Sequence, residues 1–165
     1  MRQPIRIEGD VAFVTLTKGH VAIFDAADIG IVADRKWYAV MDRNKVYAAT
    51  KTGSDNHSTL LMHRLIMNCR RGIMIDHRDG DGLNNRRSNL READHSQNGR
   101  NQGPGNQNTS GFKGVSFIKR SSRWKAAITV YKKRHYLGSF KTPEEAYAAY
   151  CSACVAMHGE FARTK

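Results

Sequence analysis

The chain has 165 residues, 40% of them apolar and 25% charged, and its 27 Lys and Arg outnumber 15 Asp and Glu for a formal net charge of +12. Its apolar runs are too short to cross a bilayer, and the start MRQPIRIEGDVAF lacks the n-region, apolar core and cleavage site of a secretory signal, so the sequence reads as cytosolic and without a membrane partner. Three cysteines, with Cys69 far from Cys151 and Cys154, argue against a disulfide framework. The basic surplus, +8 of it in residues 103 to 165, points to a polyanionic partner, with a merely solvated basic surface as the alternative.

In chain order, VAFVTLTKGHVAIFD holds two short β-prone runs around Lys18-Gly19-His20, the pattern of a hairpin. KWYAV and KVYAAT flank Arg43-Asn44 in the same way. Residues 1 to 60 are therefore expected to form a small β-rich unit with one short helix near residues 26 to 34.

The next segment contains IDHRDGDG, residues 75 to 82. A calcium loop needs oxygen ligands at alternate positions, and from Asp79 the third ligand position is Leu83, so that register fails. Asp79-Gly80 and Asp81-Gly82 read instead as turn dipeptides. Asp76 and His77 follow the apolar run GIMI and fall at the end of a strand, on opposite sides of it. Asn89 lies twelve residues beyond His77, in RRSNLRE, and Asn98 nine further, in DHSQNGRN.

The ordered set DH, a Gly- and Asn-rich loop, NLR and SQNGRN resembles the HNH endonucleases, whose motif is a two-stranded hairpin and a helix around one divalent metal. TLTKGHVAIFD, KWYAV and MHRLIM look like the N-terminal part of phage and intron members of the homing type, so the resemblance spans roughly residues 12 to 102. It implies Asp76 and Asn98 as metal ligands. The residues read on their own agree with such chemistry. His77 has the one unperturbed pKa near neutrality in the motif and is the candidate general base. Asn89 is placed to orient it by accepting a hydrogen bond from one ring nitrogen. One anionic and one neutral oxygen form a sparse hard set suited to Mg²⁺, with Mn²⁺ as substitute. Many relatives have His where Asn98 stands, which weakens the expectation of tight transition-metal binding.

Asp94 and Gln97 are positioned to cap a last short helix that carries His95 and Asn98 on neighbouring positions of one face. His95 reads as a surface residue, with a phosphate or metal contact as the alternative. His63 reads as structural. Arg64, Arg86, Arg87, Arg91 and Arg100 flank the motif as candidate backbone-phosphate contacts, against the alternative of solvated side chains.

GRNQGPGNQNTSG, residues 99 to 111, reads as a linker. Beyond it FKGVSFIKR, RWKAAITVY and KRHYLGSF predict three short strands, followed by a helix with Thr142 as N-cap, Pro143 at its first position, Glu145 closing a capping box and Gly159 as its stop. Ala146, Tyr150, Ala153 and Met157 give that helix an apolar stripe for one face of the sheet. GFKGVSF, RWKAAI, YLGSF, TPEEAYAAY and MHGEFA resemble in order and spacing the plant ethylene-response-factor (Apetala-two) DNA-binding domain. On that resemblance Lys113, Lys125, Arg134 and Tyr136 lie on the DNA face, with Lys119, Arg120 and Arg123 near phosphates. Trp124 belongs to the core. Ser116 and Thr129 stand where plant relatives carry base-reading arginines, so sequence readout differs. Cys151 and Cys154 lie within the helical pattern and read as buried structural cysteines rather than zinc ligands.

The sequence thus predicts an α+β protein with a β-rich unit at 1 to 60, an HNH core with a ββα-metal fold at 61 to 102, a linker at 103 to 110, and a three-stranded antiparallel sheet packed on one helix at 111 to 165. The resemblances imply a monomeric, Mg²⁺-dependent endonuclease that cuts double-stranded DNA to a 5′-phosphate and a 3′-hydroxyl in the cytoplasm of a bacterial host. The rivals are a DNA-binding regulator with an inactive core, and a zinc-stabilised fold over residues 69 to 98.

Overall fold

A computed structural model describes residues 3–42, 44–52, 58–70, 72–94, 97, 107–162 and 164. The chain divides into two compact units, Met1–Asp94 and His95–Lys165. The first opens with β1 (Ile5–Glu8), β2 (Val11–Thr15) and β3 (Val21–Asp25), an antiparallel sheet in that order. The expected Lys18-Gly19 hairpin turn is present, with Lys18 in the left-handed region at φ 61°. Ala12, Val14, Ala22 and Phe24 alternate onto one buried face, as period-two patterning requires. The helix expected near 26 to 34 is a 3-10 turn, Ala26–Asp28, running into α1 (Ile29–Val32).

A second antiparallel sheet follows, β4 (Trp37–Asp42), β5 (Lys45–Thr52) and β6 (Ser58–Leu61), and leads into α2 (Met62–Ile66). The strands β7 (Met74–His77) and β8 (Leu90–Ala93) then pair as an antiparallel hairpin. Phe24, Val32, Trp37, Ala48, Met62, Ile66, Ile75 and Leu90 belong to one core cluster. The segments on either side of residue 60 therefore share a single apolar interior. The Trp37 indole also donates to the Val32 carbonyl at 2.9 Å, which satisfies its one buried polar group.

The second unit is the sheet-and-helix module. β9 (Val115–Ile118), β10 (Arg123–Val130) and β11 (Lys133–Phe140) form an antiparallel sheet with β10 in the centre, and α3 (Pro143–His158) packs on it. Thr142 caps α3 by accepting from the Glu145 N–H at 3.2 Å, and Gly159 ends it at a positive φ of 52°. Glu145 returns its carboxylate to the Lys141 N–H at 3.0 Å rather than to Thr142, so the box closes one residue early. The buried stripe is Ala146, Tyr150, Cys154 and His158, every fourth residue, whereas Met157 is 41% exposed. The expected stripe was rotated by one position beyond Tyr150. Cys154 is fully buried beside Tyr150 and Cys151 is half-buried. Trp124 is half-buried against Phe117, their ring centroids 5.0 Å apart. Among the described residues, no helix is long and apolar enough to cross a membrane.

Candidate active site and basic sheet face

Asp76 and His77 close β7, and strand alternation sends them to opposite faces of the hairpin. Asp76 stands directly across from Arg91 in the register. Arg91 donates to its Oδ2 from Nε at 2.9 Å and from Nη2 at 2.7 Å, and the side chains are only 2% and 6% exposed. In a pair this deeply buried each group needs the other, since either one alone would meet a large desolvation cost. Arg91 is therefore an internal counter-ion, not the solvent-facing phosphate contact expected of it.

His77 lies in a cluster of three rings. The His63 ring, from α2, meets it edge-on with centroids 4.9 Å apart, and the Tyr47 ring of β5 is 5.9 Å from both. Burial, with smaller contributions from His77 and Arg64, pushes the His63 pKa down to about 3. Burial lowers the His77 pKa as well, and a hydrogen bond with Asn85 and the charges of Asp79 and Asp76 oppose it. Both imidazoles are thus neutral at neutral pH, the form in which a ring nitrogen accepts a proton. Tyr47 is held protonated by burial first, then by Asp42 and Asp76.

The loop from 78 to 89 is tied by its own side chains. Asp79 Oδ1 accepts from the Asp81 N–H at 2.9 Å and Asp81 Oδ1 from the Leu83 N–H at 2.9 Å, two successive side-chain-to-backbone turns of the kind predicted for these aspartates. Asp79 Oδ2 also accepts from Asn84 Nδ2 at 2.7 Å. Gly82 is required by proximity: a Cβ there would overlap the Val46 carbonyl oxygen and the Tyr47 ring.

Asn89 departs from expectation. Its Oδ1 accepts from the Asp79 N–H at 3.1 Å, and its Nδ2 donates to Asp79 Oδ1 at 3.0 Å and to the Asn84 carbonyl at 2.8 Å. The amide closes the mouth of the loop, with both of its polar atoms engaged there. Asn85, by contrast, is placed by β3, far earlier in the chain. Segment 83 to 85 runs beside β3, with Ile23 N–H donating to the Leu83 carbonyl at 2.9 Å and Asn85 N–H to the Ile23 carbonyl at 2.7 Å.

The same seam consumes the arginines that follow. Arg86 donates from Nε to Asp25 at 2.8 Å and from Nη2 to Asp10 at 2.5 Å, and the Arg87 guanidinium spans the Asp28 carboxylate at 2.8 to 3.2 Å. Arg64 donates to the backbone carbonyls of Ile73 and Arg70 at 2.7 and 3.0 Å. Arg64, Arg86 and Arg87, expected at phosphates, have their guanidinium groups engaged within the protein. Asn98, Arg100 and His95 lie outside the described residues.

In the second unit the register collects the expected side chains on the sheet face away from α3. Lys125 pairs with Ser116 and Ser139, Ala127 with Tyr136, and Thr129 with Arg134. Directly opposed residues share a face, and a register shift between Ala126 and Ala127 lets Leu137 turn into the core while Tyr136 stays 63% exposed. Arg123 joins this face and donates to the Ser139 carbonyl at 3.0 Å. Lys119 and Arg120 are exposed in the adjoining 3-10 turn, and Lys113 is half-buried just before β9.

Residues 61–100, which include the hairpin and its loop, match the family model of the HNH endonucleases. The chain is also 37% identical over 93 residues to Protein 3.8 of Escherichia phage T7, a stretch covering 56% of this chain and 76% of that protein. The chain belongs to one family with this phage protein and carries an HNH endonuclease domain. No solved structure matches it. HNH domains are nuclease domains with DNA as substrate and generally use a divalent metal. Among the described residues no three His, Cys, Asp or Glu side chains gather as a metal cluster. A hard donor in the described part of this HNH domain is the buried Asp76 carboxylate, an oxygen ligand of the kind that suits an ion bound through few protein oxygens plus water and phosphate.

Proposed function

We propose that the chain is a Mg²⁺-dependent endonuclease of the homing type that hydrolyses phosphodiester bonds in double-stranded DNA. The observation that carries this reading is the end of β7, where a buried carboxylate paired with Arg91 and a neutral imidazole are adjacent residues. Asp76 and Asn98 are the residues that would hold the metal, with Mn²⁺ able to replace Mg²⁺. When bound, the ion neutralises charge on the phosphate and on the departing oxygen. His77 accepts the proton of the attacking water as the new P–O bond forms. The P–O3′ bond breaks, the departing 3′-oxygen takes a proton from solvent water to leave a 3′-hydroxyl beside the 5′-phosphate, and His77 returns its proton to solvent. Arg91 holds the Asp76 carboxylate in place across the hairpin.

The sheet face carrying Arg123, Lys125, Arg134 and Tyr136 supports a major-groove role like that of the ethylene-response-factor domain, with Lys113, Lys119 and Arg120 toward phosphates. The chain acts as a monomer in the cytoplasm of a bacterial host cell. A nicking assay on end-labelled duplex DNA with Mg²⁺ tests the reading. The wild type cuts and His77→Ala cuts 10² to 10⁴ times more slowly, about the usual contribution of a general base. A second reading, a DNA-binding regulator that does not cleave, draws on Asp76 being already paired with a guanidinium. Binding without cleavage by the wild type, at any Mg²⁺ or Mn²⁺ level on phage and host DNA, would establish that alternative.

A further inference from the structure

We propose that the β10–β11 turn is a DNA contact held in a strained shape for that purpose. The Tyr131 ring lies on sugars and base edges at one end of the groove, and Lys132 and Lys133 meet the flanking phosphates. This rests on the reading of the adjoining sheet face as a DNA surface.

Val130 and Lys133 are the last register pair before the turn, so Tyr131 and Lys132 are the central residues of a two-residue hairpin. Both are left-handed, at φ 47° and 65°, the pattern of a type I′ turn. Such turns favour Asn-Gly, because a Cβ in the left-handed region crowds the following carbonyl and a bulky residue there is an outlier. The chain uses glycine elsewhere: in the two-residue turn between Glu8 and Val11, joining β1 to β2, the positive φ of 61° falls on Gly9. Burial does not account for a tyrosine at the β10–β11 turn, since Tyr131 is 80% exposed. A strained residue that the core does not require implies a use outside it.

The neighbouring residues define the chemistry of the partner. Tyr131, Lys132, Lys133 and Arg134 are consecutive and all exposed, and no Asp or Glu occurs between Asp94 and Glu144. An aromatic body with a polar tip beside three cations matches a polyanion whose phosphates are separated by apolar sugar and base edges. Arg134, opposite Thr129, already belongs to the open sheet face, so the turn extends that face along the chain. From Lys125 to Tyr131 the ribbon runs roughly 20 Å, about six base-pair rises. The major groove admits a two-stranded ribbon, and the turn then falls at one end of the footprint.

The test combines Tyr131→Asn with Lys132→Gly in the full-length chain, giving the turn the pair it favours. Urea unfolding followed at the NMR signals of Ile128, buried in β10, reports the strain. Anisotropy of a labelled mixed-sequence duplex, without divalent metal so that nothing is cut, reports binding. The double variant should unfold at a urea concentration higher by about 0.5 M or more. It should also bind about fivefold or more weakly, with a salt slope lower by about 0.9 for the lost Lys132 contact. Tyr131→Phe, which keeps the ring, should bind within about twofold of wild type. A turn that is only structural would move the midpoint alone, so wild-type affinity and slope in the double variant overturn the proposal. A midpoint that does not rise overturns it as well, because the turn is then not strained. Arg134→Ala separates this proposal from the reading beneath it. If Arg134→Ala weakens binding and the double variant does not, the turn is no contact and the sheet-face reading stands; if neither weakens it, that reading fails too.

Discussion

Around the HNH hairpin, positive charge is paired with carboxylates: Arg91 sits on Asp76, Arg86 on Asp10 and Asp25, and Arg87 on Asp28. In the sheet-and-helix unit it is turned outward, with Arg123, Lys125 and Arg134 on an open face and no carboxylate among the described residues paired to them. The supply of acid explains the contrast. Residues 103 to 165 carry 11 basic and 3 acidic side chains, whereas residues 1 to 102 carry 16 and 12. An arginine in the first unit meets a nearby aspartate; a cation in the second has water or a polyanion. One unit spends its guanidinium groups on building a site, and the other keeps them for a partner.

The largest effects should separate these uses. His77→Ala should slow cleavage by 10² to 10⁴ and leave duplex affinity within about twofold, because the open sheet face is untouched. Equal losses of cleavage and binding, measured by nicking and by fluorescence anisotropy, would mean that chemistry and attachment are not divided between the units. Arg91→Met should lower folding stability by about 3 to 5 kcal/mol, the usual cost of stranding one buried charge, as read from urea unfolding. Arg134→Met, on the open face, should change it by less than about 0.5 kcal/mol. A neutral result for Arg91→Met would show that Asp76 is not held by its cross-strand partner.

How far the sequence foretold this contrast depended on the range of the interaction. The Lys18-Gly19 turn, the β-prone runs on either side of it, and the cap at Thr142 are written within a few residues and were legible there. So were the Asx turns of Asp79 and Asp81 and the placement of Asp76 and His77 at a strand end. The strands β1 and β6, four residues each, are too short for their alternation to stand out. The pairing of Arg86 with Asp25, 61 positions away, leaves no local trace, so an arginine beside a motif looked available for phosphate. The burial of Asn85 left no local trace for the same reason, since the carbonyl that receives its N–H belongs to Ile23. The stripe of α3 shifted from Met157 to His158 because a period of 3.6 residues fits either position, and only packing against the sheet decides.

A smaller effect follows from His63. Its pKa is about 3 in the folded chain and about 6.5 in the unfolded one, so below pH 6.5 the unfolded chain takes up a proton that the native ring refuses. The stability His63 allows is complete above pH 6.5 and is lost as pH falls toward 3. Between pH 6 and 5 the slope approaches its limit of about 1.4 kcal/mol per pH unit for one proton. His63→Phe should flatten the profile in that window while the carboxylates remain largely ionised. An unchanged slope would mean that the unfolded chain and the native ring bind the proton equally.

The smallest effect falls on the open sheet, and it is graded. Each phosphate neutralised by a lysine or arginine releases condensed counterions, so log Kobs falls with log[salt] by about 0.9 per contact. Lys125→Ala and Arg134→Ala should each reduce that slope by about one unit if the side chain meets phosphate, weakening all sequences alike. If instead one of them reads a base edge, its loss relaxes discrimination at one position by about 1 to 3 kcal/mol. Tyr136→Ala, uncharged and on the same face, should leave the slope unchanged while lowering affinity through lost packing. Arg86→Ala is the matching control in the first unit, because its charge is already held by Asp10 and Asp25. A salt slope altered as much by Arg86→Ala as by Arg134→Ala would show that the seam opens on DNA and that the paired arginines serve both structure and substrate.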